Sequence, residues 1–407
     1  MSKLIVFAAF VYLARLLGPA NFGYIEWSGA VLMCASLVVD QGLSSYGARE
    51  IAKNPAQTAR LVGEIVTARL FLAGVGCVVL SAFAVWFVRE ASVARLLLVF
   101  GLSLWALPFH LNWVFQGHDR TLIIASTQII RYAIFAFVVF VCVENAADLV
   151  FVGLAEVAAV TCAAVFSFGM YRRCFSAQVS WQPMFSLKLF REGFPIGLSQ
   201  MFWTVKMFGA TLIVGLVATA QETGYFAGAM RILIAFHAFV WLYYLNLLPS
   251  LARAWQDGQT QFSALITNSM RIVLPICLLG AGVWIALAPF IITLAYGQDF
   301  AHGAGALQWM AGVGAAAAIS GHYRFGLIAA NFQNKEMLAA AIGAVLATIL
   351  IPLGYFQSGT SGAAAGLCFA ETIVLAIVRL MAERALFSDK DWPTAKRNLK
   401  PLPEIAR

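Results

Sequence analysis

The chain is dominated by long apolar runs, and this feature restricts its fold more than any other. Of 407 residues, 61% are hydrophobic and only 11% are charged. About twelve apolar runs follow one another, and a helix of about 20 such residues crosses a bilayer core of about 30 Å. A membrane barrel would alternate polar and apolar residues, which these runs do not do. The sequence therefore predicts an all-α polytopic membrane protein with about 12 transmembrane helices.

The hydropathy pattern also predicts where the chain divides. The longest polar interval, 171–192, is expected to be a cytoplasmic linker between an N-terminal lobe (1–170) and a C-terminal lobe (193–386). Residues 387–407 would form a cytoplasmic tail. The predicted spans are 3–17, 24–42, 64–88, 93–115, 121–143, 148–170, 193–217, 224–249, 268–295, 303–330, 336–356 and 360–386.

Positive charge alternates between successive connections. One side carries most of the cations: Lys3, Arg49, Lys53, Arg60, Arg120, Arg172, Arg173, Lys188, Arg191, Arg253, Lys335 and those of the tail. The other side carries only Arg15, Arg89 and Arg95. Cytoplasmic loops of membrane proteins are enriched in Lys and Arg, so both termini are expected in the cytoplasm.

The two halves of the sequence resemble each other. Gly23-Tyr24 and Gly224-Tyr225 open corresponding spans 201 residues apart, and Arg69 and Arg271 correspond at an offset of 202. Each half holds an even number of spans, so both halves have the same orientation. Two six-helix lobes related by a pseudo-two-fold axis along the membrane normal are therefore predicted.

Seven segments together carry a resemblance to a known family. They are ARLLGPANFGYIEW (14–27), VVDQGLSSYGAREIA (38–52), WVFQG (113–117), ETGYFAGAMRI (222–232), LLPSLAR (247–253), AYGQDFAHGAGALQWM (295–310) and GTSGAAAG (359–366). In this order they resemble the O-antigen (Wzx-like) polysaccharide flippases, whose superfamily also holds the MATE multidrug exporters and the lipid II flippases.

The resemblance implies a MATE-like, V-shaped bundle and a function. Such a protein lies in the bacterial cytoplasmic (inner) membrane and translocates undecaprenyl-pyrophosphate-linked oligosaccharide across it by alternating access, for O-antigen, exopolysaccharide or capsule synthesis. Membrane lipids, a polysaccharide polymerase and chain-length machinery are the implied partners. Compared with the family, few residues precede Gly18, so a shortened first helix or an earlier true start is expected.

Cations inside the spans are the candidates for binding an anionic substrate. Lys206 and Arg231 lie within adjacent predicted spans, and Arg131, Arg324 and the interfacial Arg49 are further candidates. A cation at the bilayer centre costs roughly 2.5 to 3.5 kcal/mol on insertion scales, so it normally faces a cavity or a partner. A pyrophosphate would pair well with an arginine fork. The alternative for each cation is a structural ion pair.

Three acids at or within spans are candidates for a coupling-ion site: Asp40, Glu156 and Glu371. Glu156 and Glu371 occupy matching places in the two halves. They could bind H⁺ or Na⁺, or they could be inherited packing elements, and Asp40 could cap its helix. Arg69 and Arg271, near predicted cytoplasmic helix ends, are interpreted as anchors to lipid headgroups.

Several other classes of function find little support in the sequence. It contains no HExxH, GxSxG or P-loop motif, so we expect no metal, cofactor or enzymatic activity, and transport driven by an H⁺ or Na⁺ gradient or by membrane potential. The net charge of +8 lies mainly in loops and tail and indicates topology rather than nucleic-acid binding. A MATE-type drug or metabolite antiporter, a membrane-embedded glycosyl polymerase or ligase, and a scaffold remain the alternatives.

Overall fold

Helices account for nearly all of the residues that the computed structural model describes. These residues are 2–175, 208–386 and seven scattered positions between them, and no strand occurs among them. The first part contains α1 (Ser2–Asp40), α2 (Leu43–Lys53), α3 (Thr58–Trp86), α4 (Ala91–Leu102), α5 (Asn112–Gly117), α6 (Thr121–Cys142) and α7 (Leu149–Phe175). The second part contains α8 (Gly209–Val217), α9 (Ala220–Asp257), α10 (Gln259–Tyr296), α11 (Ala304–Ala329) and α12 (Gln333–Leu386).

Within the described part of the chain, eight helical stretches are long and apolar enough to span a membrane. Two of them each contain two spans, because α1 breaks at Gly18 (φ 72°) and α12 breaks at Ser358 and Gly359 (φ 62°). The apolar α11 is a further rod, and α8 forms the end of the predicted span 193–217, whose part before residue 208 lies largely outside the described residues. The all-helical, multi-pass prediction is confirmed.

The chain forms two compact units. One comprises Met1–Gly228 and Thr293–His302, and the other comprises Ala229–Ile292 and Gly303–Arg407. The predicted linker at 171–192 and the predicted tail at 387–407 lie almost entirely outside the described residues, apart from the end of α7. The predicted lobe boundaries therefore stay a prediction.

The start of α3, the turn between α5 and α6, and the end of α7 meet at one end of the first unit. The sequence predicts that this end faces the cytoplasm. The Thr58 hydroxyl at the start of α3 lies 3.0 Å from His118 Nε2, in the turn before α6. The His118 ring packs against Phe175 at the end of α7, with the centroids 4.5 Å apart, and the Arg120 guanidinium lies over the same Phe175 ring. Their common position agrees with the alternation of the predicted topology.

The two Gly-Tyr openings of the sequence repeat pack against each other within the first unit. A Cβ atom at Gly23 would overlap the carbonyl oxygen of Ala220, and one at Gly224 would overlap that of Pro19. The repeat offset of 201 carries Pro19 to Ala220 and Gly23 to Gly224, so the contact is reciprocal. Reciprocal contacts of this kind are the signature of a two-fold axis. The contact supports the predicted pseudo-symmetry at this point, while the relation of whole lobes remains a prediction.

This close helix contact predicts a specific sensitivity to added side chains. Gly23→Ala and Gly224→Ala should each destabilise the protein by about 1 to 3 kcal/mol, because backbone atoms would have to separate. Gly29→Ala in the same helix is the matched control, since a Cβ there meets nothing within 4 Å. It should be neutral or slightly stabilising. Thermal melts of the purified variants in detergent test this, and a Gly23→Ala protein that melts like the control would contradict the contact.

In the second unit, α11 packs extensively on α12, and small residues let the two rods of α12 approach closely. A Cβ at Gly354 would overlap the Gly362 carbonyl, and a Cβ at Gly362 would overlap the Gly354 carbonyl. Small residues at such contacts are typical of membrane helix packing. Trp255, Phe262 and Leu386 belong to a buried apolar cluster that packs α9 to α12 together.

Candidate functional site

Arg69 is buried within the first unit and forms an ion pair. Its side chain is 6% exposed, and its guanidinium contacts the carboxylate of Asp40 and the hydroxyl of Ser44. Left-handed residues Gln41 (φ 41°) and Gly42 (φ 78°) end α1 and turn the chain so that Ser44 Oγ donates to Asp40 Oδ1 at 2.8 Å. Asp40, a candidate coupling-ion residue, is thereby bound to a cation and to a hydroxyl.

A second intramembrane pair joins two of the predicted site residues. Arg131 on α6 donates to Glu156 on α7, with 2.6 Å between Nη2 and Oε1. Both side chains are largely buried, at 30% and 18% exposed. The sequence treated Arg131 as a substrate cation and Glu156 as a coupling acid, whereas the structure brings them together as partners. Their mutual neutralisation lowers the cost of holding each charge at this depth.

Arg324 near the C-terminal end of α11 has an acidic partner on α12. Its Nε lies 2.9 Å from Glu336 Oε1, and its Nη2 contacts the same oxygen. Both side chains are mostly buried, at 13% and 18% exposed. Glu336 sits in the first turn of α12, where the helix dipole favours an anion. The contact ties the two helices together at that end.

Arg49 lies on the short amphipathic α2 and is half exposed. Its Nε lies 3.1 Å from Glu50 Oε1, and its guanidinium lies 5.6 Å from the centroid of the Tyr46 ring. Lys53 donates to the same Glu50 oxygen at 2.8 Å, and this hydrogen bond holds the pKa of Glu50 below its usual value. A basic helix with its apolar side buried is suited to the membrane interface, as the sequence predicted.

The remaining predicted residues occupy separate places. Arg231 is partly buried on α9, eleven residues after the start of that helix. Glu371 is 2% exposed on the second rod of α12. Lys206 lies outside the described residues, so its predicted position beside Arg231 stays a prediction. Arg231 and Glu371 both belong to the second unit.

A buried polar network in the second unit was not predicted from the sequence. Completely buried His322 on α11 contacts Tyr244 Oη at 2.6 Å through Nδ1 and Ser269 Oγ at 2.7 Å through Nε2. Tyr244 donates to the Ala318 carbonyl, and Ser269 contacts the half-exposed Tyr243 hydroxyl. The four side chains come from three helices separated by 26 to 78 residues. Spacing along one chain could not reveal such a set.

The charged side chains inside the helices are arranged largely as ion pairs. Arg69, Arg131 and Arg324 are each held by an acid from another helix. No group of three or more metal-ligating side chains occurs in the part of the chain that the structure describes.

Solved structures with the same fold are transporters. The chain matches a MATE family multidrug transporter of the MOP superfamily, in an inward-facing conformation, with a TM-score of 0.74 at 14% identity, covering 98% of this chain and 96% of that one. The lipid II flippase MurJ, in an inward closed conformation, matches with a TM-score of 0.75 at 14% identity, covering 98% and 88%. The chain therefore has the fold of these two transporters.

The family follows from the sequence comparison. A family model described as polysaccharide biosynthesis protein matches residues 1–255, more than half of the chain. The chain belongs to this polysaccharide biosynthesis protein family. A curated relative, the putative O-antigen transporter of Shigella dysenteriae, is 20% identical over 381 residues, which cover 92% of this chain and 94% of the relative. The family resemblance seen in the sequence motifs is confirmed.

Proposed function

We propose that this protein is a flippase. It moves an undecaprenyl-pyrophosphate-linked oligosaccharide from the inner to the outer leaflet of the bacterial cytoplasmic membrane, for synthesis of a surface polysaccharide. The observation that carries the proposal is the family match over residues 1–255, joined to a fold shared with a lipid II flippase over 98% of the chain. The proposed substrate has a lipid part and a saccharide part. The name of the flippase refers to a lipid, and the name of the relative refers to O-antigen, a saccharide.

The charged helices support an anionic head group. Arg231 lies within the apolar run 224–249 of α9, where its fork can hold pyrophosphate oxygens. We assign Lys206 to the same task. Arg131 and Arg324 each contact an acid and would reach a substrate only in a second conformation, whereas Arg49 is half exposed at the interface. Alternating access between two conformations would move the head group while the polyprenyl tail stays in lipid.

The alternative functions fit the molecule less well. A pump for cationic drugs should present free acids, whereas Asp40 and Glu156 are bound by arginines. A glycosyl polymerase or ligase needs a large outward segment for its polar groups. The connections predicted to face outward are short within the described ranges, for example 87–90, 143–148 and 297–303. The driving force is proposed to be an H⁺ or Na⁺ gradient or the membrane potential, and the polymerase and chain-length machinery remain proposed partners.

A genetic experiment tests the proposed function. Expressed in a strain that lacks its own flippase for a matching saccharide, the chain should restore surface polysaccharide and remove the lipid-linked intermediate that accumulates in the inner leaflet. Failure to clear that intermediate at normal levels of inserted protein would overturn the proposal. If the chain instead lowered cellular drug accumulation without affecting polysaccharide, the antiporter alternative would hold.

The proposed topology gives a separate prediction. A cysteine at exposed Ser358, in the break of α12, should react with a membrane-impermeant maleimide added to intact spheroplasts. A cysteine at exposed Asp257, the last residue of α9, should react only after permeabilisation. The reason is the excess of cations on the side of Asp257. Replacing the seven native cysteines first removes background, and the opposite labelling pattern would place both termini outside.

A further inference from the structure

Helix α10 changes character along its length. From Gln259 to Arg271 its exposed side chains are polar except for Ala264, whereas from Ile272 to Leu294 its exposed large side chains are apolar. A helix of 38 residues is about 57 Å long at 1.5 Å per residue, and the hydrocarbon core is about 30 Å thick. The apolar part fills that thickness, so Arg271 lies at its edge, level with lipid head groups. The predicted topology places this edge at the cytoplasmic leaflet.

A polar groove of about 550 Å³ follows the first part of α10. Thr260, Ser263, Thr267 and Arg271 line it at helical spacing, with Asn268 beside them. A second groove of about 490 Å³ shares Ser263, Thr267 and Arg271, and it adds Tyr323 of α11 and Glu383 of α12. Hydroxyl and amide groups are the side chains that hydrogen-bond sugars, and Arg271 is placed where the polar groove meets the apolar face.

The charge of Arg271 is not neutralised within the described part of the chain. No carboxylate there lies within ion-pair distance of it, although other arginines of the helices are paired. The acid that lines the second groove, Glu383, is engaged by Arg379 at 2.8 Å. The local balance around the groove is therefore positive. An exposed guanidinium that keeps its charge available is suited to a phosphate oxygen.

The sequence repeat shows that, of two matching arginines, only the one in the second half is exposed and lacks a carboxylate partner in the described part of the chain. Arg271 corresponds to Arg69, which is buried and bound to Asp40. The repeat offsets of 201 and 202 carry Asp40 to Trp241 and Leu242, both apolar. The second half therefore has the arginine without the acid. An arginine whose only role was to form this ion pair would not be expected at an exposed position without its carboxylate.

We propose that the groove of α10, with Arg271 at its base, is a loading site for the phosphate-sugar head of the lipid-linked substrate. Arg271 binds the phosphate, the hydroxyls and Asn268 bind the adjacent sugar, and the polyprenyl chain lies along the exposed apolar face from Ile272 to Leu294. This inference rests on the proposed function, because it names where that substrate first contacts the C-terminal unit.

Binding to the purified full chain in nanodiscs of zwitterionic lipid tests the inference. The probes are undecaprenyl pyrophosphate and, as the ordinary anionic lipid, phosphatidylglycerol, with retention measured by native mass spectrometry. Arg271→Ala should weaken undecaprenyl pyrophosphate binding roughly tenfold to a hundredfold, the range expected for a charge-assisted contact. Arg271→Lys should lie between, because it keeps charge without the fork. Arg253→Ala, an exposed arginine on α9 outside the groove, is the matched control and should bind normally.

Two outcomes would overturn the inference. Unchanged binding by Arg271→Ala would show that the groove does not hold the phosphate. An equal loss of phosphatidylglycerol would show a general anchor to anionic lipid. Arg271 is exposed, so its variants should insert normally, and the amount of inserted protein is measured in each case. Asn268→Ala should bind undecaprenyl pyrophosphate normally. It should bind a probe that also carries the saccharide more weakly than the wild type does.

Export measured in cells separates this inference from the proposed function. If the wild type restores export and Arg271→Ala restores it equally, the loading site is wrong and the flippase function stands. If the wild type restores no export, the flippase proposal fails, and the undecaprenyl pyrophosphate measurement still decides whether Arg271 binds the phosphate.

Discussion

Arg231→Ala should abolish export of surface polysaccharide while leaving inserted protein near its native amount. Arg231 is partly buried within the apolar run 224–249 of α9, and a cation held at such depth is usually functional. Two charge-assisted hydrogen bonds to a pyrophosphate would contribute about 3 to 6 kcal/mol, at about 1.5 to 3 kcal/mol each. Their loss would lower transport on the order of a hundredfold or more.

Conservative and neighbouring variants sharpen this prediction. Arg231→Lys should recover part of the export, since the ammonium supplies charge without the bidentate fork. Lys206→Ala should impair export, and Arg253→Ala, near the end of the same helix, should export normally. The measurement is surface polysaccharide per inserted molecule, with the lipid-linked intermediate assayed in the inner leaflet. Normal export by the Lys206→Ala, Arg231→Ala double variant would rule out the head-group role of both residues.

Hydropathy was sufficient to predict the membrane part of the fold. The predicted span 121–143 corresponds to α6 at Thr121–Cys142, and the predicted turn at Gly359 is the break in α12. The polar stretch 250–267 was expected between spans, yet it is helical except at Gly258 (φ 141°). Hydropathy detects where a helix enters lipid and is blind to its continuation in water. Likewise α1 resumes at Pro19, because proline is well tolerated in a first helical turn.

The charged residues were harder to interpret from the sequence. Arg69, Arg131 and Arg324 were all singled out from the sequence, but their acidic partners lie on other helices, 25 residues away for Arg131 and Glu156. Sequence periodicity predicts which side chains share a face of one helix, and pairing across helices depends on packing that one sequence does not reveal. Whether these residues bind substrate or coupling ions stays a prediction, and the geometry shows only which of them already have partners.

The sequence repeat explains why the helices could be predicted more fully than the roles of the charged residues. Two halves that share a backbone plan have diverged at their charges, so Arg69 is bound by Asp40 whereas its counterpart Arg271 is exposed. Matching positions therefore do not imply matching roles. Asp40 and Arg69 are expected to hold α1, α2 and α3 together, while Arg271 lies exposed at the edge of the apolar part of α10.

The structural role of the Asp40–Arg69 pair leads to the second large effect. Asp40→Ala should destabilise the protein by about 3 to 5 kcal/mol, because it leaves the buried guanidinium of Arg69 without its carboxylate. Arg69→Leu should be less severe, since Asp40 is nearer the surface and keeps its bond to Ser44. The Asp40→Leu, Arg69→Leu double variant should regain most of the loss, as an apolar pair can replace a buried ion pair.

Melting of the purified variants and export across imposed gradients decide between structure and ion coupling for this pair. If Asp40 is structural, the double variant melts near the native temperature, and its export per inserted molecule still depends on the H⁺ or Na⁺ gradient. If Asp40 binds the coupling ion, the stable double variant loses that gradient dependence, and Asp40→Asn melts normally while export no longer responds to the gradient. The second result would show that Asp40 binds the coupling ion. The role of Arg69 would then be to keep the Asp40 carboxylate charged.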